Sequence, residues 1–112
     1  MKRLILALSM VILTATVSFA QFVANFKDAS GTASASSSLA LSANNSRQYL
    51  LIQNISSNTL GFTVDGTTAA IGTAGTVTLA AGQGVIFQQS VPAGAINVIG
   101  SSAGTTYTIK YL

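Results

Sequence analysis

From Leu60 onward, apolar residues fall at every second position in short runs separated by turn-forming segments that contain glycine. Leu60, Phe62 and Val64 alternate with Gly61, Thr63 and Asp65, and Val77 and Leu79 alternate with Thr76 and Thr78. Val85 and Phe87 alternate with Ile86 and Gln88, and Ile96 and Val98 share one side of Ala95–Ile99. Tyr107, Ile109 and Tyr111 alternate with Thr106, Thr108 and Lys110. Successive side chains of a strand point to opposite faces, so this period is that of strands with one face buried. The breaks are turn chemistry: Asp65-Gly66, Gly72–Gly75, Ala81–Gly84, Val91–Gly94 with the only proline, and Ser101–Gly104. Glycine and Asp tolerate positive φ, and proline cannot donate to a ladder. Thr68–Ile71 reads as a short return strand after the Asp65-Gly66 turn. No window after Ala20 carries a helical stripe.

The densest apolar run outside the first twenty residues is Arg47–Asn54, RQYLLIQN, with Leu50, Leu51 and Ile52 consecutive. Bounded by Asn and Ser, it reads as a central strand, Gln48 to Ile55, covered on both faces. Before it, Thr32–Leu41 alternates small polar residues with Ala33, Ala35, Leu39 and Leu41, and reads as an edge strand; its Ala/Ser-rich start also fits a flexible linker. Ser42–Ser46 is a turn by composition. Together these give about seven or eight short strands, the pattern of an all-β antiparallel sandwich, jelly-roll-like, over residues 31–112.

Ahead of that domain, Met1–Ala20 has the layout of a secretory signal peptide. Lys2 and Arg3 precede the apolar stretch Leu4–Val17, and Ser18-Phe19-Ala20 offers small residues for cleavage before Gln21. The apolar stretch is shorter than the ~20 residues of a membrane-spanning helix. The expected contact with a membrane is therefore confined to export, and the expected location is the periplasm or outside the cell. Residues 21–30 then form an N-terminal arm carrying Phe22, Val23 and Phe26.

Charge and residue types narrow the chemistry. After Ala20 the cations are Lys27, Arg47 and Lys110 and the anions Asp28 and Asp65, so no basic patch exists to neutralise a nucleic acid backbone. The chain has no His, Cys, Glu or Trp. That removes the commonest general base, the thiol nucleophile, disulfides and most transition-metal ligands. A two-carboxylate glycosidase would need Asp28 and Asp65 to face each other; Asp65 is better explained by its turn and Asp28 by an exposed segment. A Ser–Lys pair would need Lys27 or Lys110 desolvated beside a serine, whereas Lys110 lies on a strand's polar side. The glycine turns lack the lysine and the strand-to-helix context of a phosphate loop. No catalytic residue, cofactor or metal is expected. Tyr49, Tyr107 and Tyr111 are core residues by alternation, with sugar stacking as the sharper alternative. Arg47 reads either as a solvated or backbone-bonded residue at a strand start or as a contact across a subunit boundary, where Arg is enriched. Asn44 and Asn54 sit in N-x-Ser sequons.

The runs SGTASASSSLALSANNSRQYLLIQNISSNTLGFTVDG and VTLAAGQGVIFQQSVPAGAINVIGSSAGTTYTIKY together resemble small β-rich domains of tailed-bacteriophage virions, of head-decoration or fibre type. The shared features are an Asn/Ser turn and Arg before YLLIQN, an L-A-x-G turn before an aromatic-containing strand, and V-P-x-G-A-I-N before the final strands. The resemblance spans roughly Ser30–Leu112 and implies a non-enzymatic structural role with no active site. A weakly charged surface of Ser, Thr, Ala, Gly, Asn and Gln suits contact with copies of itself or with a larger particle. The expected partners are thus the chain itself, as a homo-oligomer such as a trimer, or virion and fibre proteins. Phe22, Val23, Phe26 and Arg47 are the candidate interaction residues. The export signal also fits a secreted bacterial surface-fibre or matrix subunit, and the tyrosines fit an extracellular glycan-binding module.

Overall fold

The computed structural model describes residues 25–112, so the signal-peptide segment and the arm residues Phe22 and Val23 lie outside the described part. The described residues hold nine strands and no helix: β1 (Lys27–Asp28), β2 (Gly31–Ala33), β3 (Ser38–Leu41), β4 (Leu50–Asn54), β5 (Leu60–Thr63), β6 (Val77–Leu79), β7 (Gly84–Phe87), β8 (Ile96–Gly100) and β9 (Thr105–Tyr111). They form two antiparallel sheets. The first runs β1/β2-β9-β4-β7 and the second β3-β8-β5-β6.

The pairing is nested. β5 pairs with β6, β4 with β7, β3 with β8 and β2 with β9, and successive pairs alternate between the sheets. The pairs β4–β9 and β5–β8 then close each sheet across its middle. The inward sides meet in one core. Leu50, Ile52, Tyr107 and Ile109 come from the first sheet, and Leu60, Phe62, Leu79, Ile96 and Val98 from the second. Complete burial of side chains such as Phe62, Leu50 or Ile109 stabilises by about 1.5–3 kcal/mol each.

The alternation of Val85/Phe87, Ile96/Val98 and Tyr107/Ile109 sets these strands in the expected faces, and Gly66, Gly72, Gly75, Gly82 and Gly104 all take positive φ in the expected turns. Four expectations are corrected. The segment Thr32–Leu41 is two strands in different sheets, not one. Ala33 still pairs with Thr105 of β9, whereas the Ser34 carbonyl accepts from the Gly100 amide of β8, at 2.7 Å. Small serines let the chain cross between sheets there. Second, the central strand expected over Gln48 to Ile55 is shorter, Leu50–Asn54, and is not covered on both faces. Leu50, Ile52 and Asn54 are buried while Leu51 and Gln53 are only half-buried, because no third layer lies outside the first sheet among the described residues. Third, Thr68–Ile71 is not a strand; the partner of β5 is β6. Fourth, Lys27 and Asp28 of the expected arm already belong to the first sheet, opposite Tyr111 and Lys110.

The connection between β5 and β6, residues 64–76, does something the alternation does not announce. It folds back over the outer side of the second sheet. Thr63 Oγ1 donates to the Thr67 carbonyl at 2.6 Å, and Asn97 Nδ2 donates to the carbonyls of Gly66 and Thr67. Ser37 Oγ accepts from the Ala69 amide at 2.9 Å. Gly61 is where the connection seats. A Cβ there would lie 2.9 Å from Ile99 Cγ2, 3.0 Å from Thr76 Cγ2 and 3.1 Å from Ile71 Cγ1. All four residues of β5 are buried as a result.

Candidate functional site

Arg47 follows an Asn-type turn in which Asn44 Oδ1 accepts from the Ser46 amide at 2.9 Å. That turn aims the guanidinium inward. Nη1 donates to the carbonyls of Pro92 and Gly94, and Nη2 donates to the Ser42 carbonyl at 2.8 Å. The side chain is 6% exposed, and Nε has no hydrogen-bond partner. Burial pulls its pKa down, and the nearby Tyr111 acts in the opposite direction. Of the two roles considered for Arg47, the geometry is that of the backbone-bonded residue. Both terminal nitrogens are engaged by carbonyls of the turns at one end of the sandwich. The same corner explains why glycine stands in the V-P-x-G-A-I-N motif. A Cβ on Gly94 would collide with the Val64 carbonyl oxygen and approach Asp65 Cα to 2.9 Å.

Phe26 packs near the start of β4. Its ring is 4.7 Å from the ring of Tyr49, tilted by 59°, and half of it is exposed. The Tyr49 carbonyl accepts from the Leu112 amide, which fixes the tyrosine beside the end of β9. Of the candidate interaction residues within the described part, Arg47 is buried and Phe26 is half-exposed.

The carboxylates are occupied separately. Asp28, on the first sheet, accepts from the Ser30 amide at 2.8 Å and from Lys110 Nζ at 3.1 Å. Those Ser30 and Lys110 bonds lower its pKa to about 2. Asp65, in the connection leaving the second sheet, accepts from Thr67 through Oγ1 at 2.6 Å and through the amide at 3.2 Å, and these bonds also lower its pKa. Lys110 is engaged by Asp28 instead of by a serine. Tyr107 is buried with its pKa raised by burial. Its ring reaches over Gly31, where a Cβ would lie 2.9 Å from the hydroxyl. That places one of the three tyrosines in the core and leaves Tyr49 and Tyr111 half-buried.

Alternation does contain a signal for one polar residue that the reading of RQYLLIQN passes over. Asn54 shares the inward side of β4 with Leu50 and Ile52. It is fully buried, and its amide is satisfied on both sides. Nδ2 donates to the carbonyls of Asn58 and Leu79, at 2.6 and 3.0 Å, while Oδ1 accepts from Ser56 through its amide and Oγ. The Leu79 bond ties β4 to the opposite sheet. The sequon at Asn54 is thereby closed in the folded chain, while Asn44 is exposed.

What the molecule offers to a partner is surface. The outer side of the second sheet is overlaid by residues 64–76, but the first sheet has no such cover among the described residues. Across its outer side Asp28, Lys110, Leu51 and Ile86 stand in register on β1, β9, β4 and β7. One end of that row is an ion pair and the other is apolar, with Ile86 53% exposed. Leu39, Ile55 and Val77 are also large apolar side chains about half exposed. No protein-family model matches the chain, and no curated protein or solved structure matches it.

Proposed function

We propose that the protein is a non-enzymatic structural subunit that works by self-association, as a virion decoration or fibre-type β-domain of a bacteriophage. The observation that carries this reading is the surface: exposed apolar residues on a nearly uncharged sandwich, with the outer side of one sheet left open among the described residues. The strand order supports it. The nested pairing, with β1 and β2 taken as one interrupted strand, is that of a jelly roll, an architecture used by viral capsid and lectin domains. An architecture alone does not carry a function, so the weight rests on the open surface and on the virion-domain resemblance. The layout of Met1–Ala20 favours a second reading, a secreted bacterial surface-fibre or matrix subunit, in which the chain is exported and then polymerises.

Light scattering after size exclusion, with negative-stain microscopy of the same fraction, tests the proposal on the protein recovered from cells expressing the full sequence. A discrete oligomer supports a decoration domain, and open filaments support the fibre subunit. A monomer at every concentration overturns self-association. Mass spectrometry of phage particles from the gene's host separates the two settings, since a virion protein must be found in them.

A further inference from the structure

Natural sheets protect their edges with charge, brevity, bulges or breaks, because an unprotected edge recruits another strand. Three of the four edges here carry such a device. The β1/β2 edge is interrupted at Ala29-Ser30 and bears Lys27 and Asp28. The β3 edge has a register shift between Leu39 and Leu41. The β6 edge is only three residues long. β7 is one residue longer than β6 and carries no charge, bulge or break. It pairs in unbroken register with β4, from Leu50↔Phe87 to Gln53↔Gly84, and no described strand pairs with its other side. It lies in a stretch, Gly66 to Ile109, that contains no charged residue.

We infer that β7 is the self-association edge, and that it pairs antiparallel with β7 of a second copy to join two first sheets into one. This inference rests on the self-association reading above and names its surface. A second copy is the occupant that the charge pattern selects. Two-fold pairing brings a strand against itself, so any charge on it would oppose its own kind, and like charges directly opposite destabilise a sheet. An uncharged β7 meets that condition, as β1 with its Lys27 and Asp28 does not. The outer side adds apolar contact. Leu51 and Ile86 of one copy continue into Ile86 and Leu51 of the other, covering the half-exposed isoleucine. The pairing is isologous and closes at two copies.

Light scattering on the wild-type protein, on Ile86→Lys and on Ile86→Thr, with thermal unfolding of each, tests the assignment. The expected result is a wild-type dimer, with Ile86→Lys weakening it by about tenfold or more. The side chain points outward, so unfolding of the lysine variant should still be cooperative. If Ile86→Lys fails to fold, Ile86→Thr carries the test and should also weaken the dimer. The chain has no cysteine, so oxidation of Ile86→Cys should give a disulfide-linked dimer, and Thr78→Cys on β6 should not. An oligomer whose mass is unchanged in folded Ile86→Lys, or a trimer, overturns the β7 assignment while leaving self-association standing. A wild-type monomer overturns both. A monomer with residues 84–87 protected from amide exchange assigns the edge to the chain's own N-terminal residues.

Discussion

Removing the Arg47 guanidinium should cost more than any other polar substitution at the surface-turn end of the sandwich. It makes three bonds to the carbonyls of Ser42, Pro92 and Gly94. A hydrogen bond from a charged donor contributes about 1.5–3 kcal/mol net, and the three are not additive. Against them stands the cost of holding a cation away from water with no carboxylate opposite and Nε without a partner. Taking the balance as about 3 kcal/mol for Arg47→Ala, the midpoint of thermal unfolding should fall by about 12–24 °C for a domain of this size. Arg47→Lys should recover only part of that, because an ammonium lacks the planar fork that spans separate acceptors. Urea titrations read by circular dichroism, with unchanged slope, would measure the free energies. Arg47→Met is the decisive variant, since it keeps the apolar stem and leaves the carbonyls unmet. Stability equal to wild type in Arg47→Met would refute the reasoning, for the bonds would then only offset the guanidinium's own desolvation.

Other substitutions test the remaining joints. Asn54→Asp should destabilise by about 2–4 kcal/mol at neutral pH, because a buried carboxylate would face the carbonyls of Asn58 and Leu79. Its folded pKa should be raised, so the deficit shrinks as pH falls below the ordinary Asp range and grows as pH rises through the folded value; denaturation at several pH values shows this. Gly61→Ala should lower stability by about 1–3 kcal/mol through crowding of Ile71, Thr76 and Ile99, and amide exchange of residues 64–76 should quicken. For Asp28, with a folded pKa of about 2, the sign runs the other way. Its contribution is present above the unfolded value near 3.9 and is lost as pH falls toward 2. The pair with Lys110 is exposed, so Asp28→Asn should change the midpoint little, and an NMR titration of the Asp28 carboxyl checks the pKa itself.

Strand faces were legible in this chain wherever one side of a strand meets the core and the other meets water. Val85/Phe87, Ile96/Val98 and Tyr107/Ile109 are of that kind, and their alternation is a direct image of burial. The reading failed where burial comes from something other than the opposing sheet. β5 is covered on its outer side by residues 64–76, and that cover depends on the absent side chain of Gly61, on the Asn97 side-chain amide and on the Ser37 hydroxyl, which are distant in sequence. The division of Thr32–Leu41 was hidden for a related reason. Ser34–Ser37 have no apolar period of their own, and only the change of partner from β9 to β8 separates the two strands. Of the candidate site, the acceptors of Arg47 were not legible, because they are backbone carbonyls, which carry no residue signature. Asn54 was readable from parity alone, since it completes the inward series of Leu50 and Ile52.

The nested pairing has a consequence for the order in which the molecule can come into being. β8 and β9 follow all the other described strands in the chain, yet each lies in the middle of its sheet. Without β8, β3 has no neighbour and β5 keeps only β6; without β9, β1 and β2 have none and β4 keeps only β7. A chain still emerging from the ribosome can therefore close neither sheet, and most of its contacts wait on loops that span much of the sequence, which makes folding slow. Such a chain stays open until its final segment is free. That is the condition in which a polypeptide can still be threaded through a narrow pore, which is what the export reading proposed above requires.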